Sequence, residues 1–363
     1  MPYSLGVGAR NPRTRLVTAS SELELIRRIR ARATGAGAGE LRLGIGDDCA
    51  ILRPRRSEEI VVTTDLSLAG RHFQLNWHPP ESVGHRTLTR GLSDLAAMGA
   101  RPVAAFLSLG LPGELVQKKV RLGGAAQSRA WIDRFLDGFL LLAKATSTPL
   151  AGGDLAESPV FAADIVLLGA VPQGKALLRS GARPGDLLYV TGKLGGAAAG
   201  LKRLGEWART RAESRSAPNV PRRLADALAR HLYPFPRLIQ GQTLIRRGLA
   251  SAGLDISDGL STDLAHLCDE SRVAAEVDAL ALPIAPGAHL QQALHGGEDY
   301  ELLFTAPPSA RVPPGLAGTP ITRIGRILPF NRRRPQMTLL TAQGPQPLQP
   351  RGWQHFAMDW AAK

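Results

Sequence analysis

Aromatic residues make up only 5% of the 363-residue chain. Proteins that hold nucleic acid by base stacking depend on such residues. The basic residues behind the formal net charge of +14 are spread along the chain rather than clustered. The charge therefore reads as a solvated surface that attracts anionic ligands, and a nucleic-acid partner is not expected. Cysteine is scarcer still. Cys49 and Cys268 stand alone in apolar stretches, which gives no disulfide framework or thiolate cluster and fits a reducing, cytoplasmic setting. No run approaches the roughly 18 apolar residues of a membrane helix. The amino-terminal residues lack the apolar centre of a secretory signal.

Several catalytic signatures are missing as well. Lys175 and Lys193 each follow a glycine, but Ala176 and Leu194 come next, so neither completes a phosphate loop ending in Lys-Ser/Thr. There is no His-Arg-Asp kinase loop, no Gly-x-Ser-x-Gly elbow and no His-x-x-x-His pair among the eight histidines.

What the chain has is a series of short acidic points beside glycines, hydroxyls and apolar residues. The densest is Ala252-Gly253-Leu254-Asp255-Ile256-Ser257-Asp258-Gly259. Asp255 and Asp258 repel each other when both are ionised and close, and a hard cation such as Mg2+ relieves that repulsion. By itself the octapeptide is equally an ordinary solvated turn. The arrangement recurs, however, at Gly46-Asp47-Asp48, Thr63-Thr64-Asp65, Ser93-Asp94, Gly152-Gly153-Asp154 and Gly296-Gly297-Glu298-Asp299. In a basic chain, acids placed this way read as parts of one site for magnesium and polyphosphate. Gly44-Ile45-Gly46-Asp47-Asp48-Cys49 approaches a dinucleotide fingerprint, but Cys49 replaces the third glycine and the paired acids repel a pyrophosphate.

The length favours two domains, and a hydrophobic fraction of 44% with 21% charged residues fits a globular protein. Periodicity predicts helices from about Ser21, over Val83–Met98, over Trp131–Ala145, from Gly195 and over Ser261–Cys268. Strands are expected at Ile60–Thr64 with Asp65 at the end, and at Val103–Leu109, Phe161–Val171, Leu187–Val190, Tyr300–Thr305 and Ile321–Ile327. Leu150–Asp154 reads as a strand end breaking into a tight turn. Residues 1–20 read as a loose arm, 34–39 as a Gly/Ala loop, 112–130 as a polar excursion, 203–223 as an exposed loop with helical turns and 331–350 as a basic, Pro/Gln-rich stretch. A linker falls within 172–186, so the domains are set at 1–178 and 179–363. Helices and strands mix without a strict alternating period, which gives an α+β class.

In order and spacing, these motifs resemble the thiamine-monophosphate kinase family, within the ATP-binding superfamily typified by aminoimidazole ribonucleotide synthetase. The segments that carry the resemblance are Gly-Ile-Gly-Asp-Asp-Cys-Ala at 44–50, Thr-Thr-Asp at 63–65 with Ala-Gly-Arg-His-Phe at 69–73, and Leu-Ser-Asp-Leu-Ala-Ala-Met-Gly-Ala at 92–100. They continue with Gly-Gly-Asp at 152–154, Arg-Ser-Gly-Ala-Arg-Pro-Gly-Asp at 179–186, Asp-Ile-Ser-Asp-Gly-Leu at 255–260 and Gly-Gly-Glu-Asp-Tyr-Glu-Leu at 296–302. Leu66, Leu155 and Ala156 depart from the family pattern, as does the length of 112–130.

The resemblance implies a two-domain synthetase-like fold, with an amino-terminal α/β domain whose sheet pairs in a homodimer and a flanking carboxy-terminal α/β domain. It implies transfer of the ATP γ-phosphoryl to thiamine monophosphate. It further implies Asp48, Thr63, Thr64, Asp65, Asp94, Asp154, Asp255 and Asp258 as ligands to several magnesium ions. Gly153, Asp154, Arg179 and Ser257 would contact ATP, and His72, Glu298 and Trp353 the thiamine moiety. Each has a plainer reading alone: Thr63 as strand surface, Arg179 as a solvated charge, His72 as structural and Trp353 as a packed terminal aromatic. Two other readings stay open, a superfamily relative that uses ATP to activate another donor and a basic nucleic-acid-binding protein. The chemistry favours the kinase. A phosphate monoester is largely dianionic at neutral pH, so it needs no general base, and none is assigned. Bringing two anions together is the difficulty, and carboxylate-held metal solves it without a phosphoenzyme.

Overall fold

The computed structural model describes residues 14–17, 22–33, 40–121, 127–210 and 220–354. Most of the loose arm, the 34–39 loop, Ser21, parts of 112–130 and 203–223, and the residues after 354 lie outside them.

The amino-terminal half is built on a four-stranded sheet. Its order is Glu58–Leu68, Ala162–Pro172, Arg101–Leu111, Leu150–Glu157; neighbours are antiparallel except the last pair, which is parallel. One face carries the helices Pro80–Ala97 and Trp131–Ala145. The first begins with proline at its first turn, where no amide partner is lost. It ends at Gly99, whose φ of 71° is the left-handed stop expected of glycine. The two helices approach until backbone meets backbone. A Cβ on Gly84 would lie 1.9 Å from the Phe135 carbonyl oxygen, and one on Gly138 would lie 1.8 Å from that of Glu81.

The carboxy-terminal half holds a larger mixed sheet. Its order is Ala252–Asp255, Leu302–Ala306, Leu187–Thr191, Thr319–Pro329, Val273–Asp278, Met337–Thr341, Gly344–Pro347. Helix Leu260–Ser271 packs against it through Leu260, Leu264, Leu267 and Cys268. Helix Leu238–Arg246 instead lies on helix Pro80–Ala97, and Leu238, Leu244, Phe304 and Ile321 join the core of the amino-terminal half. Both halves thus contribute to one core, beside a second core within the carboxy-terminal half, and the acidic motifs of Asp65, Asp94, Asp255 and Glu298 meet at the junction.

The α+β class is the one observed, with corrections in detail. Asp65 lies inside a strand that runs on to Leu68, because Asp65 pairs in register with Ile165. Leu150–Asp154 does not break into a turn; it continues as a strand to Glu157 against Ser108–Leu111. The 331–350 stretch contains a hairpin, Met337–Thr341 with Gly344–Pro347, held by pairing to Val273–Asp278 rather than by its own composition. Within 203–223, helix Gly196–Arg209 extends further than expected and a second helix starts at Arg222.

Candidate active site

Strand alternation sorts the acidic set by face. Thr63 and Asp65 point toward helix Pro80–Ala97, whereas Thr64 is exposed on the opposite face. Across the sheet, Leu66, Asp164, Ser108 and Asp154 stand in one register row, so Asp154 shares the face of Thr64.

On the helix side a cavity of about 330 Å³ opens between the two halves. Asp65, His72, Asp94, Asp255, Ser257, Asp258, Glu298 and Trp353 all line it, so eight residues singled out in the sequence converge there. Strand Glu58–Leu68 supplies Asp65, helix Pro80–Ala97 supplies Asp94, and strand Ala252–Asp255 ends on Asp255. Ser257 and Asp258 follow in the turn before helix Leu260–Ser271.

Arg71 and Arg90 share the lining with these acids. The Thr63 hydroxyl donates to Asp94, and Ser93 Oγ donates to Asp255 at 2.6 Å. Burial, reinforced by the neighbouring Asp94 charge, pushes the Asp255 carboxyl up to about 7. Burial also raises Asp94, with Asp65 adding to it, and raises Asp65 against the pull of Arg90 at 2.7 Å. Asp263 receives the amides of Asp258 and Gly259 at 3.1 and 2.9 Å, which fixes the turn, while burial carries its own carboxyl up to about 8. Among the described residues no three His, Cys, Asp or Glu side chains already converge on one point as a metal cage. The donor set nevertheless suits a hard cation: oxygen-only and desolvated, with acids that repel one another until a positive charge arrives.

The rest of the lining is largely apolar and aromatic. Phe73, Trp77, Leu201 and Trp353 line the cavity together with His72 and Glu298. Trp353 is placed by its backbone. Its amide donates to the Asp258 carbonyl at 2.9 Å, and the Gly352 amide donates to Thr262 Oγ1 at 3.0 Å. A Cβ on Gly352 would lie 2.2 Å from the Asp258 oxygen, so only glycine permits this strap. His72 Nδ1 accepts the Leu68 amide at 3.0 Å.

Other expected residues lie elsewhere. Arg179 and Thr63 line a neighbouring cavity of about 450 Å³ that shares Asp94 and Asp255 with the first. Asp48, Gly153 and Asp154 line a third cavity, of about 730 Å³. The cavity between the halves also contains residues that sequence reasoning passed over, namely Arg90, Trp77 and His78. Arg86, Arg90 and Asp94 recur at every fourth position of a helix whose remaining residues are nearly all buried. That polar stripe was the available signal.

With two mixed halves and a carboxylate and hydroxyl cleft between them, the chain falls in the class of the AIR synthase related proteins. The model of their N-terminal domain matches residues 46–172 and that of their C-terminal domain residues 183–329. Within that class the chain belongs to the thiamine-monophosphate kinase family. It is 38% identical over 300 residues to the thiamine-monophosphate kinase of Escherichia coli strain K12, covering 79% of this chain and 85% of that one. The crystal structure of thiamine-monophosphate kinase from Stenotrophomonas maltophilia K279a superposes with a TM-score of 0.70 at 37% identity, covering 86% of this chain and 95% of that one. A structure of AaThiL complexed with AMPPCP and TMP superposes with a TM-score of 0.67 at 28% identity, covering 92% and 97%.

Proposed function

We propose that the protein transfers the γ-phosphoryl group of ATP directly to the phosphate of thiamine monophosphate, giving thiamine diphosphate and ADP. The observation that carries this reading is the single cavity that four aspartates and Glu298 share with aromatic side chains. The relatives named thiamine-monophosphate kinase, and the neighbour complexed with an ATP analogue and TMP, support it.

Each wall has a task. Trp353, Trp77 and His72 accept the thiamine rings, whose thiazolium cation is attracted to aromatic faces. Glu298 adds a negative charge beside that cation. Asp65, Asp94, Asp255 and Asp258, with the Thr63 hydroxyl, would hold magnesium, which would supply the positive charge that offsets the phosphates. Ser257 and Arg179 are assigned to the nucleotide. The acceptor is already an anion, so no side chain removes a proton and no phosphoenzyme forms. Exclusion of water by Phe73, Trp77 and Leu201 favours the phosphate acceptor over hydrolysis.

Asp48, Thr64, Gly153 and Asp154 belong to the proposal in a second way. The outer sheet face that carries Thr64 and Asp154 also exposes Ile60, Val62 and Leu66, with Val62 61% accessible. Covering such a face with a second copy gives the homodimer that the family resemblance implies. The domain boundary at residue 178 and a cytoplasmic location complete the reading. The boundary falls between the two family matches, and Cys49 and Cys268 are both free thiols. Incubation with magnesium, ATP and thiamine monophosphate, followed by chromatography of the thiamine species, tests the assignment. Thiamine diphosphate is expected, and ATP consumption without it would sink the reading.

A further inference from the structure

Behind Glu298 lies a buried row of nitrogen bases that the reaction as described leaves unused. Arg86, His78 and His231 are at most 5% exposed, and they come from both halves of the chain. Arginine only donates, so Arg86 decides the tautomers around it. Arg86 Nη1 lies 2.9 Å from His231 Nε2, which must therefore accept. His78 Nε2 lies 3.0 Å from the same atom and must donate to it. His78 Nδ1 is then the acceptor of the Gln74 amide at 3.1 Å. Burial, with Arg86 close by, keeps both imidazoles neutral. The His231 proton is left on Nδ1.

That Nδ1–H has no hydrogen-bond partner, and it lies 3.6 Å from Glu298 Oε2. The other carboxylate oxygen of Glu298 is taken by Arg86, with Arg90 at 4.0 Å. The backbone at Glu298 is itself unusual. Its φ is 66°, and its amide is fixed to the Ser257 carbonyl at 2.7 Å. Arg86 Nη2 also donates to the His72 carbonyl at 3.2 Å, so one guanidinium ties two of the residues assigned to the thiamine moiety. A buried donor without a partner costs stability, and its persistence beside a site carboxylate marks a bond made only in another state.

We infer that His231 is a positioning residue for substrate recognition, whose Nδ1–H closes on Glu298 Oε2 when thiamine monophosphate fills the cavity. Closing the gap needs a shift of about half an ångström. With Arg86 on one oxygen and His231 on the other, Glu298 is held in one orientation toward the cationic, amino-bearing ring system. The inference rests on the proposed substrate and deepens it, since it states how the thiamine half is selected.

Two substitutions separate positioning from packing. Gln at position 231 places an amide where Nε2 was. It still accepts from Arg86 and His78 but has no donor toward Glu298. Asn places an N–H where Nδ1 was and gives up the contact to His78. His231→Gln is expected to raise KM for thiamine monophosphate roughly 5- to 10-fold with kcat and KM for ATP unchanged. His231→Asn is expected to stay within about 2-fold of the parent KM despite a lower Tm. The proposal is overturned if His231→Gln keeps the parent KM, or if both variants lose affinity in step with Tm. A parent protein that forms no thiamine diphosphate overturns the substrate reading itself, and this inference with it.

Discussion

Ser93 and Asp255 meet across the junction of the two halves, with Ser93 Oγ donating to Asp255 Oδ2 at 2.6 Å. The serine is fully buried, so the bond has no competitor from solvent. It favours the charged form of an acid that burial and Asp94 push the other way. Hydrogen bonds to charged groups contribute about 1.5–3 kcal/mol. Ser93→Ala should therefore raise the magnesium concentration for half-maximal activity by roughly 10- to 100-fold at neutral pH. The group is raised, so its ionised form gains as pH increases, and part of the loss should be recovered at pH 8.5. A magnesium titration at both pH values checks this; no change in magnesium demand would contradict it.

Asp258→Asn and Asp65→Asn each remove one negative charge at nearly constant shape, and each should lower turnover by roughly 100-fold or more. Asp65→Asn should also cost stability. Asp65 is the carboxylate partner of Arg90 at 2.7 Å, and its loss leaves a largely buried guanidinium poorly compensated. Tm should fall for Asp65→Asn. Near-normal activity of both at low magnesium would rule out the metal assignment.

Trp353 is 46% exposed, and its backbone amide ties the carboxy-terminal strap to the Asp258 carbonyl. Trp353→Ala should therefore keep Tm within a few degrees and raise KM for thiamine monophosphate roughly 2- to 30-fold, with kcat little changed. Trp353→Phe should recover much of the loss. A fall in Tm at unchanged KM would assign the ring to packing instead.

The buried imidazoles predict an acid limit to stability. Burial and the Arg86 charge lower His78 from its ordinary 6.5 to about 3, and His231 is lowered in the same sense. Between these values the unfolded chain binds protons that the folded chain refuses. Their contribution is intact above pH 6.5 and is lost progressively as pH falls toward 3. At pH 5 the loss from His78 alone is about 2 kcal/mol. The double variant His78→Gln, His231→Gln should show a flatter fall in unfolding free energy between pH 6.5 and 4. An unchanged slope would place the titrating groups elsewhere.

The legible parts of the chain were those whose local physics agreed with their final setting. Helix Trp131–Ala145 was expected with the bounds observed, because its apolar spacing is strong and its neighbours are loops. Asp65, Asp94, Asp255 and Asp258 were found as a set because acids beside glycine and hydroxyl stand out in a basic chain. Met337–Thr341 was not legible, since its pairing partner Val273–Asp278 lies far away in sequence. Nor was the division between Asp65 and Thr64. Neighbouring strand residues face opposite ways, and motif spacing does not show which face a cavity occupies. His231 carries no motif. Its meaning depends on Arg86 and Glu298, which only the packing of the two halves brings to it.

The central claim is direct transfer between two phosphates, and γ-labelled ATP tests it most directly. Protein, magnesium, labelled ATP and thiamine monophosphate are mixed, quenched in acid at short times, and the label is followed into every product. The account predicts label on the terminal phosphate of thiamine diphosphate, in equal amount to ADP, with none on the protein at any time. Label on the protein that chases into product, or label released as inorganic phosphate without thiamine diphosphate, would contradict it.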